Sequence, residues 1–497
     1  MKYSVVMTET VNEKLFRHLI RKDGQEDLCF AFYKISTGKT RTSGVINEIL
    51  LPDLGDRNIH GNVSFNSEFF DKVTSYALAN RYGICFIHSH PFSGWQGMSS
   101  DDIKAEKMLA PRVKAVTGLP LIGLTIGTDN YWSARFWIKK EPNLYSKEWC
   151  ESVRVVGKSL KPYYNNKLLP KPSFGEEFKR TISSWGDSKQ QDISRLKVGI
   201  IGMGSVGSIV AEALHRTGVF DVVYIDFDLV ERKNLDRLLA AGESDIGKYK
   251  IEFQKKRLEK TNLFAGLNIT TVPYSIYEKI GLENALDCDI LFSCVDMPLP
   301  RYILDCISFA NLIPVIDGGI DTNPKEDLTN IDQARWKAHT IGPERVCMQC
   351  LGQYKPEDAA LEQSGELENP NYIKGLSKDH FINRGENVFI FSASLAAMEM
   401  QQFLSLILKP KGIYYGPKEM DFNTGNIDYN FINECKDNCV FSNNFLGKAD
   451  EINYTLIMEH KKAEKSRSIY YSNSINKIAE SRSLYQRFKK YLNSFLS

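Results

Sequence analysis

A short stretch near residue 200 limits what this chain can fold into more than any other part of the sequence. Val198–Ile201 is an apolar run with the length of a buried strand, and it leads directly into the glycine-rich turn GMGSVG at 202–207. The pattern predicts a helix over 208–217 and a second strand over 222–225 that ends at Asp226. Such a βαβ unit brings helix N-terminal N–H groups close to phosphate and the acidic residue close to a ribose. The stretch therefore predicts a nucleotide-binding α/β domain.

The sequence after this unit carries polar residues that a dehydrogenase does not need. The segments DFDLV at 226–230 and NLDR at 234–237, followed by Lys250 and Asp296, supply charged and polar groups that suit a triphosphate. This series resembles the adenylating domain of the ubiquitin-activating-enzyme superfamily, which includes the ThiF and MoeB proteins, across residues 176–430. The resemblance implies a Rossmann-like, doubly wound domain that uses ATP and Mg²⁺ to adenylate the C-terminus of a protein.

The same resemblance implies a role for each of these residues. Those that it assigns to the nucleotide and its metal are Gly202, Gly204, Gly207, Asp226, Asn234, Arg237, Lys250 and Asp296. Arg237 and Lys250 are expected to neutralise the phosphates during catalysis, with Lys248 as a rival for Lys250, and Asp296 is expected to hold Mg²⁺. Arg180, in a helix before the turn, is expected either to reach the triphosphate across a dimer interface or to be a solvated surface cation.

A second motif lies in the first third of the chain. HSHP at 88–91 ends an apolar strand, and SSDD at 99–102 begins a predicted helix. Side chains two apart in a strand share a face, so His88 and His90 can bind one ion, and Asp102 can supply a third ligand. Two histidines and one carboxylate leave one position of a tetrahedral zinc ion free, which is the arrangement of a catalytic site.

The spacing resembles the JAMM (MPN-type) metalloprotease motif, His-x-His-Pro, seven residues, Ser-x-x-Asp, and the resemblance covers most of residues 1–145. It implies a cytidine-deaminase-like α/β domain with a catalytic Zn²⁺, Glu26 as general base and Ser99 as a stabiliser of the oxyanion. Glu48 is the alternative base. Without a metal, Ser99 and Asp102 would form an ordinary helix cap.

Two pairs of cysteines stand apart from the others, which lie singly in apolar surroundings. The paired residues are Cys347, Cys350, Cys435 and Cys439. The pairs resemble the structural zinc site of MoeB-like proteins, which implies a second, tetrathiolate Zn²⁺. The alternative is that one of these cysteines is a nucleophile that takes the activated acyl group as a thioester.

Composition and charge exclude several other classes of protein. The chain has 497 residues, of which 42% are hydrophobic and 25% charged, and this is typical of a globular protein of about three domains. A formal net charge of +2 gives no general attraction to nucleic acid or to a membrane surface. The sequence predicts neither a signal segment nor a membrane span, so we expect a cytoplasmic location.

The predicted organisation has four parts. They are a metalloprotease domain over 1–145, a linker over 146–175 with a helix near 148–160, an adenylation domain over 176–430, and a C-terminal part over 431–497. The C-terminal part contains the second cysteine pair and, over 440–497, a basic tail. The polar segment 320–386 is expected to form loops that face the substrate. In the tail we expect a helix docked on the same protein, with partner or membrane binding as the alternative.

The two predicted activities suit one substrate, the C-terminus of a ubiquitin-like protein. We therefore expect a bifunctional enzyme that adenylates this C-terminus and also cleaves after it as a zinc peptidase. Two alternatives are sulfur-carrier activation, in which the peptidase exposes a diglycine, and a binding platform with inactive sites. The expected partners are a ubiquitin-like or sulfur-carrier protein ending in glycine, a conjugating-enzyme-like protein, and a second copy of this chain.

Overall fold

The computed structural model describes the chain except for residues 61, 262–265, 326–328, 369–373, 375–386, 411–414, 430–431, 433, 454–457 and 474–497. The described residues form two α/β units, one on a nine-stranded sheet and one on an eight-stranded sheet, with a separate two-stranded hairpin. Much of the basic tail, including its apolar stripe from Leu484 onward, lies outside the described residues.

The first unit is built on the nine-stranded sheet, whose strand order is β11-β10-β1-β3-β2-β6-β7-β8-β9. The strands of this unit, including the hairpin, are β1 (Lys2–Thr8), β2 (Leu28–Thr37), β3 (Arg41–Leu50), β4 (Arg57–His60), β5 (Asn62–Phe65), β6 (Gly83–Ser89), β7 (Leu121–Ile126), β8 (Trp132–Glu141), β9 (Leu144–Trp149), β10 (Ser152–Val156) and β11 (Leu160–Tyr164). Its helices are α1 (Glu9–Leu19), α2 (Ser67–Asn80) and α3 (Ser100–Thr117).

The segment after residue 144 differs from its prediction. The helix expected near 148–160 is wrong, because β9, β10 and β11 occupy this part of the chain and belong to the first sheet. β10 lies between β1 and β11, and all five residues of its sequence SVRVV are buried, including the polar Ser152 and Arg154. Its β-branched valines favour a strand. The first unit therefore extends to Tyr164, beyond the expected boundary at 145.

The second unit is built on the eight-stranded sheet, in the order β14-β13-β12-β15-β16-β17-β18-β19. Its strands are β12 (Lys197–Ile201), β13 (Asp221–Ile225), β14 (Asn268–Val272), β15 (Ile290–Ser293), β16 (Val315–Pro324), β17 (Ile331–Ile341), β18 (Lys418–Asp421) and β19 (Asn426–Tyr429). Its helices are α4 (Lys179–Trp185), α5 (Asp187–Ser194), α6 (Ser205–Thr217), α7 (Lys250–Thr261), α8 (Lys279–Leu286), α9 (Pro298–Ala310), α10 (Pro356–Ser364), α11 (Phe389–Leu408) and α12 (Asp450–Asn453), and one more runs over 461–473.

The sheet of the second unit confirms the predicted βαβ unit. β12 pairs in parallel with β13 on one side and with β15 on the other, so the glycine turn after β12 lies where the strand order reverses. Ligands of doubly wound folds bind at this switch point.

The strand β17 corrects the expectation that the segment 320–386 forms loops. Ala334, Trp336 and Ala338 are buried and alternate with charged neighbours, which is the period of a half-buried strand.

One described helix, α11, is long and apolar enough to cross a membrane, but 67% of its apolar window is buried inside the protein. It packs against α6, β16 and β17. Among the cluster of buried residues that it helps to form are Phe403 and Leu406 from α11 and Val198 and Ile200 from β12. The hydropathy of α11 is thus accounted for by its position in the core of the second unit.

The two units share a core instead of being joined by an exposed linker. Val6 and Val156 of the first unit are buried in the same cluster as the apolar residues of β12 and α6. Beside this cluster, Arg41 Nη1 lies 2.6 Å and Arg154 Nη1 lies 3.2 Å from Oδ1 of Asp289, and all three side chains are buried. The buried ion pairs and the shared core hold the units against each other.

Candidate functional site

A cavity of about 850 Å³ opens at the carboxyl ends of the central strands of the second unit. The predicted nucleotide residues that line it are Gly202, Gly204, Asp226, Asn234, Arg237, Lys250 and Asp296. The structure therefore brings these residues, which span almost a hundred positions, to one place. Their roles toward a nucleotide stay predictions.

The glycines shape the turn in different ways. Gly202 has a φ of +90°, which side-chain-bearing residues rarely adopt. A Cβ atom on Gly207 would lie 2.1 Å from the carbonyl oxygen of Gly202, so this glycine, which is not in the cavity wall, lets α6 start directly against the turn. A Cβ atom on Gly204, which lines the cavity, would have no neighbour within 4 Å.

Asp226 holds the turn in place. Its Oδ2 accepts a hydrogen bond of 2.5 Å from the backbone N of Met203, and its Oδ1 accepts one of 2.6 Å from the backbone N of Asp228. Burial, helped by the charge of Asp228, raises the pKa of Asp226 to about 6. Asp226 is thus a structural anchor of the glycine turn as well as the predicted ribose ligand.

Of the two candidate lysines, Lys250 faces the cavity. Its Nζ lies 2.7 Å from Oδ2 of Asp228, whose side chain is half exposed. Lys248 instead pairs with Asp245, 2.8 Å away, and does not line the cavity. Burial opposes the charge of Lys250, but Asp226 and Asp228 outweigh it and raise the pKa of the ammonium group. Lys250 is therefore a buried, charged cation in the cavity wall, next to Asp228.

The two arginines differ in position. Arg237 lines the cavity, and its Nη1 donates to the carbonyl oxygen of Lys233 at 2.8 Å. Arg180 is exposed on α4 and does not line the cavity of its own chain. A role for Arg180 at the triphosphate would require a second copy of the chain and stays a prediction.

Several residues in the cavity wall escaped the sequence analysis. They are Phe227, Tyr274, Tyr277, Arg335, Lys337, His460 and Lys462. Phe227 directly follows Asp226 and is the one that the motif itself could have indicated. The others reach the cavity from β17, from the loop after β14 and from the C-terminal segment, so only the tertiary structure reveals them.

In the first unit, the side chains of His88, His90 and Asp102 converge. The two Nε2 atoms are 3.1 Å apart, and they lie 3.3 Å (His88) and 3.2 Å (His90) from the carboxylate oxygens of Asp102. A tetrahedral zinc ion with bonds of about 2.0–2.1 Å separates its ligand atoms by about 3.3 Å. The two nitrogen atoms, and each nitrogen and its nearer carboxylate oxygen, are therefore separated by about the distance between zinc ligands. The three residues form one of the two groups that could hold a metal in the described part of the chain.

Glu26 and Glu48 lie in different surroundings. Leu28 on β2 pairs with His88 on β6, and continuing this antiparallel register by two residues puts Glu26 opposite His90. Burial raises the pKa of Glu26, against the opposing effect of the two histidines. Glu48 instead accepts hydrogen bonds from the hydroxyl groups of Tyr76 and Tyr82. The geometry favours Glu26 over Glu48 as a group that can act beside the donor triad.

Ser99 caps α3. Its Oγ accepts a bond of 3.1 Å from the backbone N of Asp102, and its own backbone N donates to Asp102 Oδ2 at 2.7 Å. Asp102 thus combines the cap with its position beside the histidines. Burial raises the pKa of Asp102, but hydrogen bonds from His88 and His90 outweigh this and lower the pKa. The role of Ser99 toward an oxyanion stays a prediction beside its observed capping role.

The four paired cysteines form one cluster, with their sulfur atoms within 4.8 Å of one another. Cys347 Sγ and Cys439 Sγ are 3.7 Å apart. A zinc ion with bonds to sulfur of about 2.3 Å separates these atoms by about 3.8 Å, so the spacing fits tetrathiolate zinc. Cys294, by contrast, lines the cavity of the second unit, but burial raises the pKa of its thiol well above the ordinary value and makes it a poor nucleophile.

Comparison with known proteins connects the second unit to one family. A model of the ThiF family matches residues 178–439. The adenylyltransferase and sulfurtransferase UBA4 of Lodderomyces elongisporus is 25% identical over 272 residues, which are 50% of this chain and 55% of the relative. The adenylyltransferase and sulfurtransferase MOCS3 of Caenorhabditis briggsae is 24% identical over 229 residues, or 44% of this chain and 48% of the relative.

One further relative matches over a shorter segment, and one solved structure is more distantly similar. Ubiquitin-like modifier-activating enzyme 5 of Aedes aegypti is 32% identical over 121 residues, which are 22% of this chain and 30% of the relative. A crystal structure of E. coli MccB with ATP aligns with 54% of this chain and 74% of its own, at 19% identity and a TM-score of 0.42. The chain thus spans about half the length, or less, of these curated relatives. The family match lies within the second unit, and the resemblance of the first unit to JAMM peptidases stays a prediction.

Proposed function

The chain belongs to the ThiF family, and we propose that it uses ATP to adenylate the C-terminal carboxylate of a small carrier protein. The observation that carries this proposal is the arrangement of Lys250 and Arg237 beside the glycine turn in a single cavity at the switch point of the sheet. A cavity of about 850 Å³ is large enough for a nucleotide and the end of an extended peptide.

In the proposed reaction, a carboxylate oxygen of the carrier attacks the α-phosphorus of ATP, and the bond to pyrophosphate breaks. Negative charge grows on the phosphate oxygens, where the ammonium group of Lys250 and the guanidinium of Arg237 would stabilise it. The backbone N–H groups at the start of α6 would bind phosphate, and Asp226 would hold the ribose. Asp296 would hold Mg²⁺, which neutralises the leaving pyrophosphate when bound.

The relatives favour a sulfur carrier over a protein modifier as the substrate. Two of them are named as adenylyltransferases and sulfurtransferases, and these matches are longer than the match to the ubiquitin-like modifier-activating enzyme. We therefore propose a carrier that ends in glycine and receives sulfur after activation. Activation of a modifier, with transfer to a conjugating-enzyme-like protein, is the second candidate. A homodimer in which Arg180 reaches the partner's nucleotide belongs to the same proposal.

We further propose that the first unit is a zinc peptidase that acts on the same carrier. The donor separations of His88, His90 and Asp102 support it, because they match a zinc ion with one free position. Zinc would supply a Lewis acid for the scissile carbonyl. Glu26 would accept the proton of the attacking water and deliver it to the leaving amine, and its raised pKa suits both steps. Such a peptidase would expose the glycine that the second unit adenylates.

ATP–pyrophosphate exchange tests the adenylation. With a glycine-ending carrier present, Lys250→Ala should reduce exchange by about a hundredfold or more, because it removes a buried cation from the phosphates. Lys248→Ala is the matched control and should retain exchange, since Lys248 pairs with Asp245 outside the cavity. Undiminished exchange by the Lys250 variant would remove the assignment of this site.

Cleavage of a carrier extended beyond its terminal glycine tests the peptidase. Glu26→Gln should retain bound zinc and lose cleavage, because the amide cannot accept the proton. Glu48→Gln should cleave like the unmodified protein, since Glu48 is hydrogen-bonded to two tyrosines on another part of the unit. If the Glu48 variant loses cleavage and the Glu26 variant keeps it, the base has been assigned to the wrong residue.

A further inference from the structure

The described part of the basic tail lies against the nucleotide cavity. His460 and Lys462 are in the cavity wall, although they are more than 160 residues beyond Asp296 in the chain. The ring of His460 has its centroid 4.5 Å from that of Phe227 and 4.7 Å from that of Tyr277. The tail therefore contributes an aromatic ring and an ammonium group to a cavity that the ThiF fold otherwise forms by itself.

Specific contacts hold this segment in place. The backbone N of Met458 donates to the carbonyl oxygen of Tyr277 at 2.7 Å. Arg467 forms a two-pronged ion pair with Glu278, at 2.7 and 3.1 Å, and its guanidinium lies 4.2 Å from the ring centroid of Tyr274. Both members of the ion pair are mostly buried. A planar pair of this kind fixes direction as well as distance, so the helix over 461–473 has a defined orientation.

Apolar contacts extend the attachment along the helix. Ala463 is fully buried, and the ring of Tyr470 lies 4.2 Å from that of Tyr249, the residue directly before α7. The tail is thus packed against the second unit on both sides of Lys462. His460 makes these contacts before Lys462 in the chain, and Tyr470 makes them after it. Because the helix is fixed on both sides, Lys462 remains at the cavity.

The strand order indicates which part of a nucleotide would lie beside the tail. The glycine turn after β12 is the phosphate end, and Asp226, at the end of the neighbouring β13, is the ribose position. The next strand outward is β14, and the loop after it carries Tyr274 and Tyr277 into the cavity wall. A base bound across these strand ends would therefore lie beside the packed rings of Phe227, Tyr277 and His460.

We propose that His460 and Lys462 bind the nucleotide, so that the adenylation site is a composite of the ThiF core and the C-terminal segment. His460 forms the outer wall against the purine base, and Lys462, on the same wall, adds a cation that attracts the negatively charged triphosphate into the cavity. Flat aromatic surfaces suit a base, and an ammonium group suits phosphate oxygens. The inference rests on the proposed use of ATP by this cavity. It identifies the ligand of this segment as the purine nucleoside triphosphate.

Calorimetric titration of the full chain with ATP tests the proposal without a carrier protein. His460→Ala and Lys462→Ala should each weaken ATP binding about tenfold, because each loses one contact to the ligand. His460→Phe, which keeps a ring, should restore most of the affinity. Lys461→Ala is the matched control: Lys461 is exposed and does not line the cavity, so its variant should bind ATP within about twofold of the unmodified protein.

Competition with inorganic tripolyphosphate, which has no base, separates the two roles. His460→Ala should leave the affinity for tripolyphosphate unchanged, whereas Lys462→Ala should lower it. ATP affinities of both variants equal to that of Lys461→Ala would overturn the proposal, and equal losses of both ligands in His460→Ala would overturn the assignment of the base. If the unmodified protein binds no ATP, the proposed function itself fails, and that result is visible before any variant is made.

Discussion

Two clusters in this chain place histidine beside aspartate, and their chemistry differs. In the first unit, Nε2 of His88 and of His90 both lie within 3.3 Å of the carboxylate of Asp102. In the second unit, His339 Nε2 lies 3.5 Å from Oδ2 of Asp317. The side chain of His339 is 1% exposed and that of Asp317 is fully buried. Residue type and proximity are thus nearly the same in the two places.

The difference lies in what else the carboxylate contacts. Oδ1 of Asp317 accepts a hydrogen bond of 2.6 Å from Ser293 and one of 3.3 Å from the guanidinium of Arg301. A cation of the protein is therefore already in place there. At Asp102, three electron-pair donors face one another instead, and a bound cation would satisfy all of them. A metal site is recognised by donors that converge without a protein cation, not by residue type alone.

The largest expected effect concerns bound zinc. The unmodified protein should contain about two zinc ions per chain, one at the histidines and one at the four cysteines. A His88→Ala/His90→Ala double variant should retain one and lose all cleavage, while ATP–pyrophosphate exchange persists. His339→Ala, the matched control, should retain both ions. Metal analysis of purified protein measures each case.

Other zinc contents would each carry a definite meaning. A single zinc that disappears in the double variant would release the four cysteines for other chemistry, and a thioester-forming cysteine would then become the better interpretation. Loss of zinc from His339→Ala would show that the second cluster binds metal despite Arg301.

The second effect is on stability and contrasts the two aspartates. Asp317→Ala should lower the free energy of unfolding by about 3–5 kcal/mol, because it leaves the mostly buried guanidinium of Arg301 without its carboxylate. Asp102→Ala, measured after metal removal, should cost only about 1 kcal/mol, the usual contribution of a helix cap. Urea unfolding of both variants makes the comparison. Equal losses would mean that Asp102 is also a structural centre of its unit.

Local patterns allowed much of the fold to be predicted from sequence. The βαβ unit around 198–225 has the predicted strands and helix to within a few residues, since strand, turn and helix are specified by contiguous residues. The same holds for the donor triad, in which His88 lies near the end of β6, His90 directly follows this strand, and Asp102 lies in the first turn of the next helix. Such sites are visible in sequence because neighbouring residues carry both the geometry and the chemistry.

Contacts between distant segments could not be predicted. The composition around residue 150 indicated a linker, yet β10 and β11 complete the first sheet and Val156 enters a core shared with the second unit. The tail residues His460 and Lys462 carry no motif, and only their docking through Arg467 and Glu278 brings them to the cavity. These features depend on tertiary packing, which one sequence does not display.

The smallest expected effect is a pH dependence of stability that distinguishes the second cluster. Burial lowers the pKa of His339 to about 4, against the opposing charge of Asp317 and with the help of Arg301 and Lys337. In the unfolded chain a histidine takes up its proton near pH 6.5. Between about pH 6.5 and 4 the unfolded state therefore binds a proton that the folded state does not, and this contribution to stability falls with decreasing pH by about 1.4 kcal/mol per pH unit.

His339→Gln removes this proton and should flatten the curve. The stability difference between the variant and the unmodified protein should change by about 1.6 kcal/mol from pH 6.5 to pH 5, and should be nearly constant above pH 7.5. Burial raises the pKa of the neighbouring Glu399, which gives a slope of opposite sign, but both proteins retain that residue and its effect cancels in the difference. Urea unfolding of both proteins at a series of pH values measures this stability difference. A difference independent of pH would mean that folding leaves the pKa of His339 unchanged, whereas a difference that changes above pH 6.5 would mean that His339 is protonated in the fold as a second cation beside Asp317.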